Sequence, residues 1–256
     1  MSSQNQEFFN LLKSIANEQV FDLELSNGSF VKCKQLSTAQ LKELIKTVVD
    51  SPVTQIEFNT TATKIFKQSI NLENNYTPNI VDRTLFLIET RIQAISPKMT
   101  VNNEGKEIVI DFNKIKQNFK EQLNINKNLF EQSQSSEGSI VLTYGPPTLS
   151  VEEQLNEEIY STMVVNADDP EDLRKLIGNV FMYEIAKALK TIKIQDVLLD
   201  LSSVSFKDRL KAIETIPAST IQKVIEYIEK QKRAIDQCLT FDDYTIPIDG
   251  TLFSLR

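Results

Sequence analysis

Carboxylates are the abundant reactive groups of this chain: 35 Asp and Glu side chains stand beside 28 Lys and Arg, with no His. Without imidazole, Ser-His-Asp and Cys-His nucleophiles are excluded and the commonest general base is missing. Cys33 and Cys238 are the two cysteines. They are too few to hold zinc and too far apart in sequence to form a disulfide framework, so they read as reduced, semi-buried thiols. Gly138 and Gly145 stand alone with no Gly-Lys-Ser/Thr after them, which leaves no phosphate-cradling loop. Hard-cation binding is what the remaining oxygen ligands could do. Asp168-Asp169 and Asp242-Asp243 are the candidate pairs, and they support an alternative reading as a carboxylate-based metal-dependent enzyme. Helix capping accounts for the first pair and a turn into Tyr244 for the second. Glu152, Glu153, Glu157 and Glu158 fall on adjacent faces of one helix, a solvated acidic face able to meet a basic partner. Arg83 and Arg91 flank the Val81–Ile95 apolar stripe, where they can anchor carboxylates.

The charge is unevenly spread. Residues 1–123 hold 14 acidic and 14 basic side chains, so the net charge of −7 arises beyond them. Between Asn128 and Leu173 there are ten carboxylates and no Lys or Arg. Such a stretch repels phosphate backbones and argues against a nucleic-acid partner, while a basic protein surface suits it. No apolar run approaches the ~20 residues of a membrane-spanning helix, and the N-terminus lacks a signal-peptide pattern. At 41% hydrophobic and 25% charged residues the composition is that of a globular protein.

These groups need elements to position them. Glu7 to Ile15 reads as a short helix with Phe8, Phe9, Leu12 and Ile15 on one side. Val20 to Leu25 and Phe30 to Leu36 alternate around Ser26-Asn27-Gly28-Ser29, which predicts a hairpin. Ser37 with Gln40 predicts a capping box opening a helix through Val49, with Leu41, Leu44, Ile45 and Val48 inward. Further helices are predicted over Val53–Leu72, Asn79–Ser96 and Asn113–Leu123, with a second hairpin around Asn102-Asn103-Glu104-Gly105. Asn124 to Gly138 is polar and reads as a boundary or mobile loop. Ser139 to Tyr144 predicts a strand. Beyond Pro147 the chain reads as helical for about 90 residues, with a Ser150/Glu153 capping box and an Asp169-Pro170 helix start. The tail adds an extended piece, Tyr244 to Ile248, and an apolar end. Phe8-Phe9 and Leu252-Phe253 lie near the chain ends, where large apolar groups suit docking on a neighbouring subunit.

The expected architecture is α+β and predominantly helical. A hairpin-plus-helices unit spans 1–123, a linker 124–148, and a helical unit with an extended tail 149–256; one continuous domain is the alternative. The N-terminal hairpin feeding into Leu36-Ser37-Thr38-Ala39-Gln40-Leu41-Lys42-Glu43-Leu44, then Leu85-Phe86-Leu87-Ile88-Glu89-Thr90-Arg91, and the closing Ile246-Pro247-Ile248-Asp249-Gly250-Thr251-Leu252-Phe253 together resemble the baseplate hub proteins of T-even-like contractile-tailed bacteriophages. The matching pieces cover about a quarter of the chain. Leu36 stands where that family has Pro-Phe, and Leu252-Phe253 where it has two Phe. The resemblance implies a non-enzymatic structural or assembly protein, without cofactor, made in the host cytoplasm and carried in the tail baseplate if incorporated. Its partners would be other tail proteins. An assembly chaperone absent from the finished particle is the alternative within the same setting.

Overall fold

The computed structural model describes residues 19–71, 76–163 and 169–254. Strands β1 (Val20–Glu24) and β2 (Phe30–Lys34) form the expected hairpin, with Phe21 opposite Cys33 and Leu23 opposite Val31. Its turn works because Gly28 adopts φ +81° and Asn27 Oδ1 accepts from both the amide and the hydroxyl of Ser29. Period-two alternation sends Phe21, Leu23 and Cys33 inward, while Asp22 and Lys32 pair outside at 2.7 Å.

Helix α1 (Thr38–Ile45) is opened by Ser37 and Gln40, which cap each other reciprocally. It stops four residues earlier than predicted, leaving Ile45 and Val48 exposed. The β-branched Thr47-Val48-Val49 run holds helix weakly, and the Thr47 carbonyl is taken by the Gly250 amide at 2.9 Å. Helices α2 (Pro52–Ser69) and α3 (Ile80–Ala94) follow, and Phe66 meets Phe86 edge to face at 5.3 Å. Asp82 in the first turn of α3 binds the Ser26 and Asn79 amides and the Tyr76 hydroxyl at 2.7–2.8 Å, which ties the hairpin to the helix start. The second hairpin, β3 (Lys98–Asn103) and β4 (Lys106–Asp111), leads into α4 (Phe112–Ile125).

Two expectations are corrected in the second half. The polar stretch 124–138 is not a loop: it contains a short helix, α5 (Lys127–Phe130), and a strand, β5 (Ser133–Glu137). The predicted 90-residue helical run is also interrupted. After β6 (Ile140–Tyr144), α6 (Leu149–Met163) and α7 (Pro170–Ala188), the chain turns into β7 (Leu189–Ile194) and β8 (Val197–Asp200) before α8 (Phe206–Glu214) and α9 (Ala218–Leu239). The sheet order is β5-β6-β7-β8, antiparallel throughout. β6 therefore finds β7 as its inner neighbour, a long-range pairing that no local period reveals. Helix α6 is capped by Thr148, whose Oγ1 accepts from Val151 at 3.4 Å, and not by Ser150. The tail forms β9 (Thr240–Phe241), β10 (Tyr244–Thr245) and a 3₁₀ turn over Gly250–Phe253.

The fold is thus mixed α+β and mostly helical, with nine α-helices and several small antiparallel sheets among the described residues. Two apolar clusters organise it. One gathers Leu23, Phe58, Phe66, Phe86, Ile110 and Phe119 with Cys238, Leu252 and Phe253 from the end of the chain. The other gathers Leu142, Leu155, Ile185, Ile192, Phe206 and Val224. Helix α9 serves both, Val224 and Tyr227 in the second cluster, Ala234 and Cys238 in the first. Among the described residues no helix is long and apolar enough to cross a membrane.

Candidate functional site

The acidic helix face predicted on α6 is divided by packing. Glu152 is only 2% exposed and faces inward, where α2, α3, α6 and α7 meet. Its carboxylate pairs with the buried Arg83 guanidinium, which also donates to Thr63 Oγ1 at 2.8 Å. Lys187 lies 4.0 Å from Glu152, 2.7 Å from Glu184, and over the Tyr183 ring at 4.5 Å. Tyr183 donates to Asn156, which donates to Thr60 at 3.0 Å. Burial pushes the Glu152 carboxyl up, but Arg83 and Lys187 pull it down further, so it stays below the ordinary carboxylate value. Glu152 is therefore corrected from partner contact to internal ion pair. Glu153 pairs with Lys67, and Glu158 accepts the Phe206 amide at 3.1 Å at the start of α8. Glu157 is exposed.

The C-terminal pair is corrected likewise. Leu252 and Phe253 are 1% and 0% exposed, inside this chain's own core. Asp249 fastens them: it accepts from Thr251 at 2.8 Å within the 3₁₀ turn and from the Val49 amide at 3.3 Å across the chain. Phe8, Phe9 and Asp168 lie outside the described residues. Asp169 caps α7, accepting from Glu171 at 2.8 Å. Asp242 and Asp243 are the β9–β10 turn, with φ 45° and 64°. Among the described residues no three Asp, Glu, Cys or His side chains gather in a way that could hold a metal ion.

Sequence reasoning missed the surface feature that the sheet creates. Among the described residues strand β8 is an edge, paired with β7 on one side only. Val197 and Leu198 are 73% and 61% exposed, and Ile194 across the turn is 48% exposed. Edges of this kind are normally blunted by Lys or Pro or covered by another element. The opposite edge obeys that rule: β5 is Ser133-Gln134-Ser135-Ser136-Glu137, and Glu137 accepts from Ser219 and Thr220 at the start of α9, 2.8 Å each. The available signal was the alternation Leu189-Lys190-Thr191-Ile192-Lys193-Ile194 before Gln195-Asp196, a strand-and-turn pattern hidden behind the longer helical stripe of α7. A second exposed apolar pair, Ile177 and Phe181, stands one turn apart on α7.

A cavity of about 510 Å³ opens between the first hairpin, α3 and α4–α5. Leu25, Leu85, Leu123 and Phe130 line its apolar part. Lysines at its rim are already paired, Lys116 with Glu89 at 2.5 Å, Lys120 with Glu24, and Lys127 with Glu131 at 3.3 Å. Among the described residues the rim is therefore charge-balanced and offers no directed anion site.

No protein-family model, curated protein or solved structure matches this chain.

Proposed function

We propose that this protein is a non-enzymatic structural or assembly component of a bacteriophage tail baseplate, in its hub region, acting through contacts with other tail proteins. The observation that carries the protein-binding part is the β8 edge, uncovered among the described residues, where Val197 and Leu198, with Ile194 across the turn on β7, present apolar side chains to solvent. Exposed apolar side chains grouped at one edge are favoured where another protein will cover them. The baseplate setting is supported by the resemblance of the hairpin, the Leu36–Leu44 segment, the Leu85–Arg91 segment and the Ile246–Phe253 tail. The acidic balance of the chain, −7, favours basic protein surfaces over nucleic acid.

The test is co-purification of the tagged protein with the tail proteins encoded beside its gene, followed by mass spectrometry of finished particles. A stable complex with tail proteins is expected, and Val197→Lys should weaken it. Presence in the particle assigns a structural subunit, and absence with retained binding assigns an assembly chaperone. Failure to bind any tail protein overturns the reading. A rise in Tm with Mg²⁺, Mn²⁺ or Ca²⁺ would instead favour carboxylate metal chemistry, because a ligand of the folded state raises Tm.

A further inference from the structure

We propose that β8 is an acceptor strand: an extended partner segment with an apolar centre and basic flanks adds beside Val197–Asp200 as the fifth strand of the sheet. This rests on the protein-binding reading of the same edge and names how the partner is held. The Gln195-Asp196 loop has two residues, so the flanking pair Ile194 and Val197 exchanges hydrogen bonds. Alternation then turns the N–H and C=O of Leu198 away from β7, toward the open side. An extended backbone is the group that satisfies this donor and acceptor together, and it does so without regard to side-chain identity.

Side chains supply the selection. Val197-Leu198-Leu199 is uninterrupted by charge, and Asp196 and Asp200 stand exposed at its two ends. Two Ser202 hydrogen bonds, from its hydroxyl at 2.7 Å and its amide at 2.9 Å, fix the Asp200 carboxylate at the end of the strand. An incoming strand is therefore favoured with Lys or Arg at its ends and apolar residues between. A second copy of this chain fits poorly. Antiparallel pairing of β8 with itself about Leu198 sets Asp196 opposite Asp200 at both ends, and like charges directly opposite are destabilising.

The full chain is titrated with two fluorescent synthetic peptides of alternating Val and Thr, one flanked by Lys pairs and the other by Glu pairs. The Lys-flanked peptide should bind, measured by anisotropy, and slow hydrogen exchange at the Leu198 amide. The Glu-flanked peptide should bind at least about tenfold more weakly. Leu198→Pro removes the outward N–H at an edge position where Pro is tolerated, and should abolish binding. Leu198→Thr keeps that N–H and should retain it. If Leu198→Pro fails to fold, Asp196→Lys decides: it should reverse part of the preference for the Lys-flanked peptide. Equal binding of both peptides, protection elsewhere than β8, or full binding by folded Leu198→Pro overturns the proposal. So does a wild-type dimer in light scattering that Leu198→Pro dissolves, which would assign the edge to a second copy. Capture of tail proteins that is indifferent to Leu198→Pro removes the strand mode alone. Peptide binding at β8 without tail-protein capture removes the baseplate role alone.

Discussion

At the scale of single residues, burial decides reactivity. Both cysteines are 0% exposed, and burial pushes each thiol up to about 12, with Glu89 and Asp22 adding to the effect at Cys33. A thiol that resists ionisation is a poor nucleophile. The native protein should therefore leave both thiols unmodified by a chromogenic disulfide reagent near neutral pH, and release two equivalents once denatured. Glu152 gives the second residue-scale expectation. Glu152→Leu strands the Arg83 guanidinium in the interior, which should cost about 3–5 kcal/mol in urea unfolding. Pairing it with Arg83→Met should recover most of that loss, because neither charge is then left alone. The pH dependence follows from the lowered Glu152 carboxyl. Its folded pKa lies below the unfolded value, so its contribution is whole above the unfolded pKa and is lost as pH falls through the folded one. Acid titration of stability should show wild type losing this increment below the ordinary carboxylate range, and Glu152→Leu lacking it.

At the scale of elements, the turns show where the sequence is at odds with its backbone. Asp242 and Asp243 both take positive φ to close β9 against β10, a conformation that glycine adopts without a Cβ penalty. Asp243→Gly should raise thermal stability, by roughly 0.5–1 kcal/mol, as relief of αL strain outweighs the added freedom of the unfolded chain. Differential scanning calorimetry would read it, and a lower Tm would sink the argument. Elements with strong local signals were legible in advance: the Asn27-Gly28 hairpin, the Ser37/Gln40 box, the α3 stripe and the Asp169-Pro170 helix start. Their determinants lie within a few residues of one another. The strands β5, β7 and β8 were not legible, because Ser133–Glu137 has no apolar alternation and β7 continues the stripe of α7 without a Gly or Pro to break it. β5 and β8 are hairpin partners of β6 and β7, and what joins the two hairpins into one sheet is the β6–β7 pairing, between segments distant in sequence. The candidate edge was missed for the same reason.

At the scale of the whole molecule, the chain end is built into the beginning. Gly250 sits against the Thr47, Leu44 and Ile45 carbonyl oxygens so closely that an added Cβ would meet them at 2.6–2.8 Å. All three are backbone atoms and cannot swing aside. Gly250→Ala should therefore destabilise the first core by roughly 2 kcal/mol or more, and speed hydrogen exchange in α1 as well as in the tail. Faster exchange confined to residues after Thr240 would show the two segments to be independent. The amino-acid sequence by itself determined the class of the protein: its helical weight, its first two hairpins, the absence of imidazole chemistry and the acidic second half. These depend on composition and on short-range period, capping and turn preferences. Only the tertiary structure decided which charged and apolar groups reach solvent. Glu152 was withdrawn into an ion pair, Leu252 and Phe253 into the core, and Val197 and Leu198 were left exposed on a strand with one partner among the described residues. Burial is set by what packs against a residue from elsewhere in the chain, and local sequence does not encode that neighbour.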